Sequence, residues 1–470
     1  MPSSPRPSVI PILLVAAFVV ILNETTMNVA LSSIMTDLGV SERTAQWLTT
    51  AFMLTMAVVI PVTGWLLDRL PTKRVFQLAM LSFSLGTAIC IVAPGFGVLL
   101  AGRVVQASGT AVMMPLLMTT VMQLVPPTGR GKVMGNISMV IAVAPAVGPT
   151  LSGIILQLGS WRLIFGTVLP IALLMLVLGS RKLQDVGERK PTPLDAISVV
   201  LTVIAFGPLI YGLSLVGAED VEFWVPMLAI GIGLGGLVAF VARQLVLQGR
   251  GTAFLDLRTF THGPFTVALT MMAIAMMAMF GTVIMLPLLL QRAYGMEPLQ
   301  VGLMMLPGGI AMGLLGPVVG RTFDRVGPRP LVLPASAIVL AVFLFFSTLA
   351  TGTPWWAIML AHMLMSVSFA SIFTPLFTVA LGSLPKHLYS HGSAVIGAVQ
   401  QVAGAAGTAL FVTVFAMQTA VATPTAPSAA AAMLAGAHWS FLGAGAIWTA
   451  AAISGFFLRK PDEAVAGPTH

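Results

Sequence analysis

The segment Gly64–Arg69 reads GWLLDR, and the segment Gly320–Arg325 reads GRTFDR. Their Gly, Asp and Arg residues share one offset of 320 − 64 = 256 positions. Each copy follows one long apolar stretch and precedes another. Similarity at a fixed offset is typical of membrane proteins that are built from two repeated halves. We therefore expect two helical halves that each carry one copy of this segment.

The composition identifies lipid as the surrounding solvent. Hydrophobic residues make up 57% of the 470 positions and charged residues only 8%, whereas a soluble domain has about 25% charged residues. The first apolar stretch, from about Val9 to Leu31, is longer than the roughly 7 to 15 residues of a signal-peptide core, so we interpret it as a permanent helix. Windows of about 20 apolar residues predict fourteen spans, centred near Phe18, Met56, Ser84, Val112, Ala144, Leu173, Ala205, Gly235, Met277, Gly313, Val339, Ser368, Ala403 and Ile447.

Basic residues predict the orientation, because Lys and Arg in short loops stay in the cytoplasm. With the N-terminus inside, 19 of the 23 basic residues fall in inner loops and tails. The four exceptions are Arg43, Arg103, Arg162 and Arg292. Both termini are then cytoplasmic, and the net charge of +8 reflects topology and attraction to anionic lipid. No basic soluble domain is left for nucleic acid. The single cysteine, Cys90, excludes a disulfide framework and a Cys-based metal site.

Four segments carry a family resemblance. Residues 64–74 (GWLLDRLPTKR) resemble the loop signature of the fourteen-helix drug:proton antiporters of the major facilitator superfamily, and residues 100–111 (LAGRVVQASGTA) resemble the fourth-helix motif of that family. Residues 144–153 (APAVGPTLSG) resemble its fifth-helix antiporter motif, and residues 22–34 (LNETTMNVALSSI) resemble its first-helix signature. Pro71, Ala107 and Ser32 replace the usual residues, and Asn23 stands where the family's common acid stands.

The resemblance implies an all-α polytopic fold in a bacterial inner membrane. It divides the chain into a six-helix bundle over residues 1–190, two inserted helices over 191–250 and a second six-helix bundle over 251–470. It also implies a proton-coupled antiporter that exports hydrophobic or cationic drugs and toxic compounds by alternating access. Small substrates, protons and membrane lipids are then its partners. We expect a functional monomer without cofactor or metal.

Charge inside a span is costly, by roughly 2.5 to 3.5 kcal/mol on insertion scales, and is functional by default. Glu24 and Arg103 are the two clear cases in this sequence. Removal from water disfavours the charged form of a carboxyl group, whereas a nearby cation favours it. We therefore predict that Glu24 couples transport to protons and that Arg103 is its relay or gating partner. The alternatives are a static ion pair between the two and an Arg103 that only anchors backbone carbonyls.

The repeated loops are predicted to form a conformational latch, since an Asp at one helix end can meet the positive N-terminus of another helix. Its residues are Gly64, Asp68, Arg69, Lys73, Arg74, Gly320, Asp324 and Arg325.

The fifth helix is predicted to be kinked and closely packed because it contains Pro145, Gly148, Pro149 and Gly153. Flexible Met and polar side chains suit a promiscuous substrate cavity, and the candidates are Asn28, Gln106, Met113, Met277, Gln291, His362, Gln400 and Gln401. Packing and interhelical hydrogen bonds are the alternative roles for each.

Other classes of function fit less well. The sequence has no cluster of catalytic residue types, so an intramembrane enzyme is not expected. A phosphate-binding loop of the GxxxxGK[ST] type is also missing, so ATP is not expected to drive the protein. Two alternatives within transport stay open: a dedicated exporter of one endogenous metabolite or lipid, and a proton-coupled importer.

Overall fold

A computed structural model describes residues 9–186, 193–216 and 221–460, without the side chains of Asn28, Glu42 and Arg43. This part of the chain contains fourteen helices that are long and apolar enough to span a membrane. Each predicted span centre lies in a different helix, which confirms the predicted fold class. The helices are α1 Val9–Leu38, α2 Glu42–Arg69, α3 Thr72–Val92, α4 Phe96–Leu124, α5 Arg130–Leu158, α6 Arg162–Lys182, α7 Ala196–Leu215, α8 Trp224–Gly249, α9 Gly263–Arg292, α10 Pro298–Val326, α11 Arg329–Ser347, α12 Trp355–Gly382, α13 Tyr389–Ala422 and α14 Ala429–Ser454.

Local sequence signals define several helix ends. The Ser41 hydroxyl accepts a hydrogen bond from the Thr44 backbone N–H at the start of α2, and Glu297 and Gln300 form a reciprocal capping box at the start of α10. Gly327 ends α10 with φ of 79°, a left-handed conformation that glycine adopts without steric cost. These polar caps satisfy backbone groups that a helix end otherwise leaves without partners.

The helices pack as two groups that meet along two pairs. Helices α1 to α6 contact one another, as do α9 to α14. The groups meet mainly where α5 lies against α10 and where α2 lies against α13. Helices α7 and α8 form a close pair, and α7 packs on α2 and α13. An even number of spans places the two ends of the described chain on the same side of the molecule.

An ion pair joins α7 to α8 at one end. Asp195 caps α7 by accepting a hydrogen bond from the Ser198 backbone N–H at 3.1 Å, and both of its carboxylate oxygens accept hydrogen bonds from Arg243 of α8. The Arg243 hydrogen bond is the largest cause that lowers the pKa of Asp195 to about 2. Asp195 is therefore charged at neutral pH, and its contribution to stability is lost only as the pH falls from about 4 through about 2.

Candidate functional site

A buried polar cluster lies inside the first group of helices. The Arg103 guanidinium donates to Gln106 Oε1 at 2.6 Å. Gln106 Nε2 donates in turn to Thr87 Oγ1 at 2.7 Å and to Asn23 Oδ1 at 3.3 Å. All four side chains are almost completely buried. The cluster thus ties α1, α3 and α4 together at the depth of the predicted proton site.

Arg103 is held by more than hydrogen bonds. Its guanidinium carbon lies 4.0 Å from the centre of the Phe52 ring of α2, a cation–π contact that gains strength away from water. Arg103 Nε and Asn23 Nδ2 are buried and have no hydrogen-bond partner among the described residues. A buried donor without a partner is costly. The cluster therefore contains two buried donors that can take a further acceptor.

Glu24 lies beside this cluster without joining it. Within the described part of the chain it forms no ion pair with Arg103, although the two side chains are within electrostatic range. Glu24 is partly exposed, whereas neighbouring Asn23 is buried. Exposed Val15 precedes Glu24 by about two and a half helical turns and so lies on the opposite face of α1. Glu24 therefore faces the interior of the molecule.

Replacing Gln106 with Leu tests the cluster. We expect the free energy of unfolding to fall by about 1 to 3 kcal/mol, because Arg103 and Thr87 would lose buried partners. Thermal unfolding of the purified protein in detergent measures the change, and exposed Gln157 provides the control variant Gln157→Leu. A Gln106→Leu protein that unfolds at the wild-type temperature would show that the cluster adds nothing to stability.

His362 occupies the corresponding place in the second group. Helices α4 and α12 begin 355 − 96 = 259 residues apart, so Arg103 corresponds to His362. The 256-residue offset of the repeated segment likewise relates Phe52 to Gly308. Arg103 packs on Phe52, and the His362 ring lies against Gly308. His362 is buried, and its Nδ1 has no hydrogen-bond partner among the described residues.

The second latch segment caps a helix of the other group. Asp324, near the end of α10, accepts hydrogen bonds from the backbone N–H groups of Gly131 at 2.9 Å and Lys132 at 3.0 Å. These groups open α5, where the helix dipole favours a negative charge. Lys460 donates to the Asp324 backbone carbonyl. This is the predicted meeting of an Asp with the positive end of a neighbouring helix.

The first latch segment makes the related contact through side chains. Asp68, near the end of α2, accepts a hydrogen bond from the Ser390 hydroxyl and lies 3.1 Å from His391 Nε2. Ser390 and His391 lie in the first turn of α13. Both Asp residues therefore join the two groups of helices at the same end of the molecule, which we call the latch end.

The other latch residues surround these contacts. The Arg69 guanidinium lies 5.6 Å from the centre of the Trp65 ring, and the Lys73 backbone N–H donates to Asp185. Arg74 and Arg325 are exposed. Buried Arg130, which lies outside the quoted motifs, donates to Tyr389 Oη at 3.2 Å and so adds a hydrogen bond between the groups.

Glycines determine how closely α5 and α10 approach. A Cβ atom added to Gly320 would lie 2.0 Å from the Gly131 carbonyl oxygen, and one added to Gly135 would lie 2.3 Å from that of Gly316. Farther from the latch end, an added Cβ at Gly153 of α5 or at Gly302 of α10 would meet no atom within 4 Å. The close line of contact therefore runs from the latch end to about Gly309, where an added Cβ would lie 2.8 Å from Ala146 Cβ, and does not continue to the opposite end.

The fifth-helix motif packs on α1 next to Glu24. Pro145 and Pro149 lie inside a continuous α5. A Cβ atom added to Gly148 would lie 2.2 Å from Thr25 Oγ1, and the Thr25 hydroxyl donates to the Ala144 carbonyl at 3.4 Å. Gly148 thus lets α5 approach the α1 residue that follows Glu24, whereas Gly153 has open space.

The candidate substrate residues are spread over several helices. Gln400 and Gln401 of α13 are partly buried, with Nε2 atoms 3.9 Å from Met272 Sδ and 4.0 Å from Met56 Sδ. Since Met56 belongs to α2, Gln401 lies between the two groups. Met113 is buried, Met277 is partly buried and Gln291 is exposed, while the Asn28 side chain lies outside the described residues.

Three of the contacts described above involve residues outside the quoted motifs. Phe52 carries no polar signal, and only the fold brings it over Arg103. Ser390 and His391 lie outside the quoted motifs, although the 259-residue offset between helix starts relates them to Gly131 and Lys132, which bind Asp324. The correspondence between the two halves outside the motifs is therefore the sequence signal that identifies Ser390 and His391.

Comparisons with known proteins agree with this architecture. A family model described as Major Facilitator Superfamily matches residues 13–408. The uncharacterized MFS-type transporter YcnB of Bacillus subtilis is 37% identical over 97% of this chain and 96% of its own length. The lincomycin resistance protein LmrB of the same organism is 35% identical over 95% of each chain. The crystal structure of the human organic anion transporter MFSD10 superimposes with a TM-score of 0.68 at 16% identity, covering 98% of this chain and all of that one. The chain therefore belongs to the major facilitator superfamily, a family of multi-pass membrane transporters.

Proposed function

We propose that this protein is a proton-coupled antiporter that exports hydrophobic or cationic drugs and toxic compounds by alternating access. The observation that carries the proposal is the position of Glu24. Among the described spans it is the only acidic residue away from a helix end, and it faces the interior next to the Arg103 cluster. A carboxyl group in such a place is suited to bind and release one proton per cycle.

Alternating access requires two states that close opposite ends. The latch end is closed through Asp68, Asp324 and the α5–α10 glycines, whereas a Cβ added to Gly153 or Gly302 near the other end would meet no described atom within 4 Å. We place the latch end in the cytoplasm of a bacterial inner membrane because the basic loops lie there. The closed latch then corresponds to an outward-open state, in which Glu24 is protonated from outside.

The proposal also assigns roles to the bundles, to the residues between them and to Arg103. We assign residues 1–190 and 251–470 to the two bundles that move relative to each other and residues 191–250 to the inserted pair. The substrate contacts the Met and Gln side chains between the bundles, with Gln401 and Met56 at their boundary. The protein works as a monomer without covalent chemistry. The positive charge of Arg103 stabilises the deprotonated carboxylate of Glu24.

Drug export is supported by LmrB, whose name describes lincomycin resistance. A panel of compounds that includes lincomycin tests the proposal in inverted membrane vesicles, where an imposed proton gradient should drive uptake of at least one compound. Vesicles without the protein are the control. Uptake of no compound, or uptake that is unchanged when the gradient is collapsed, would contradict the proposal. Uptake of a single endogenous metabolite or lipid would instead identify a dedicated exporter.

A further inference from the structure

The linker of residues 250–262 joins α8 to α9 and passes between the inserted helices and the latch. Side chains of other elements bind its backbone. Gln244 Oε1 accepts hydrogen bonds from the N–H groups of Phe254 at 3.0 Å and Leu255 at 2.9 Å. His391 Nδ1 accepts one from the Asp256 N–H at 3.2 Å. Successive residues of the linker are thus bound first by an inserted helix and then by a latch residue.

Gln244 is firmly held in α8. Its side chain is completely buried, and its Nε2 donates to Ser198 Oγ of α7 at 2.7 Å. The two inserted helices therefore fix the carboxamide that binds the linker. Gln248, one turn later, accepts a hydrogen bond from the Leu257 N–H at 3.2 Å and adds a second, more exposed attachment.

The linker reaches the latch motif as well. A Cβ atom added to Gly64 would lie 3.3 Å from Leu255 Cδ1 and 3.0 Å from His391 Nδ1. Leu255 is buried, so the linker fills the space where α2 and α13 meet. In the repeated copy, Gly320 packs directly on the Gly131 backbone, and no segment of the described chain lies between them.

The contacts of His391 give its two ring nitrogens different hydrogen-bonding roles. Nδ1 accepts the Asp256 N–H and so carries no proton, which leaves the proton on Nε2 to be donated to Asp68. The linker thereby fixes both the tautomer and the direction of the ring. A cavity of about 240 Å³ beside Asp68, Asp256 and His391 gives the imidazole ring space to turn once its hydrogen bond to the linker is broken.

We propose that the inserted helices α7 and α8 control the α2–α13 latch, with Gln244 as the positioning residue that acts through the linker and His391. Loosening the linker frees the imidazole, weakens the donation to Asp68 and favours opening of the latch end. The inserted pair is then a working part of the gate. The proposal rests on the alternating access proposed above and extends it to these two helices.

Spin labels test the proposal without substrate or proton gradient, so the result is independent of export. Thr128→Cys and Lys386→Cys, in a Cys90→Ser background, place labels on exposed loops of the two groups at the latch end. We expect Gln244→Ala to raise the ratio of long to short label distances about tenfold, the effect of losing a buried hydrogen bond. Gln248→Ala should shift the ratio less and in the same direction, and it serves as the second variant if Gln244→Ala misfolds.

Two controls separate positioning from general loosening. Gly233→Ala strains the α7–α8 packing about three helical turns before Gln244, because the added Cβ would lie 2.6 Å from the Leu209 backbone nitrogen, so it should lower thermal stability and leave the label distances unchanged. In a His391→Ala background, Gln244→Ala should have no additional effect, because the connection is already cut. Unchanged distances in Gln244→Ala, an equal shift in Gly233→Ala, or a full additional shift in the His391→Ala background would each overturn the proposal.

Discussion

Glu24→Gln is expected to reduce gradient-driven transport to the level of vesicles without the protein. The amide has nearly the same shape as the carboxyl group but cannot bind and release a proton. Among the described residues Arg103 acts on Glu24 only through its charge and donates its hydrogen bond to Gln106, so replacing Glu24 removes no direct contact of a charged side chain. We therefore expect normal expression and thermal stability, measured beside uptake in inverted vesicles.

Asp37→Asn is the matched control for this variant. Asp37 lies on the same helix but near its end, where its carboxylate accepts hydrogen bonds from Arg162 and Trp161. The hydrogen bond from Arg162 is the main cause that lowers the pKa of Asp37, so this acid stays charged and has no proton to exchange near neutral pH. Asp37→Asn should retain transport. Unimpaired transport in Glu24→Gln would eliminate Glu24 as the coupling residue.

Gly320→Val is expected to have the second largest effect, because it prevents closure of the latch end. The new Cβ atom would overlap the Gly131 carbonyl oxygen at 2.0 Å, and a backbone atom cannot turn aside as a side chain can. The helices must separate, so the protein accumulates with the latch end open. Transport should fall to background, since the cycle needs both states. Labels at positions 128 and 386 should report mainly long distances.

Gly302→Val is the control on the same helix, because an added Cβ there meets nothing within 4 Å. It should leave transport and label distances close to those of the wild type. If Gly320→Val transports normally with short label distances, the close α5–α10 contact is not required for the cycle.

The sequence predicted the fold well because its signals are strong and local. Fourteen apolar stretches are long enough to define the spans, and the repeat of Gly64, Asp68 and Arg69 marked the end at which Asp68 and Asp324 join the two groups of helices. It also found Glu24 and Arg103, since charge is rare within a membrane span. These features depend on residue type and spacing, which a single sequence displays directly.

Contacts between distant helices could not be predicted in the same way. The sequence suggested Glu24 and Arg103 as partners, whereas Arg103 binds Gln106 and stacks on Phe52. The role of Asn23 in this cluster depends on how α1 is rotated, which hydrophobic windows do not reveal. The Gln244–linker–His391 connection joins residues up to 147 positions apart, as 391 − 244 shows, and none of them lies in a recognised motif.

Proton movement coupled to substrate movement tests the central claim most directly. Purified protein is reconstituted into liposomes that contain a pH-sensitive dye, and a gradient of a compound transported in the vesicle panel is imposed without any initial pH difference. We predict that protons move opposite to the compound and that Glu24→Gln abolishes their movement. Transport of the compound with an unchanged internal pH, or with protons moving in the same direction, would contradict antiport.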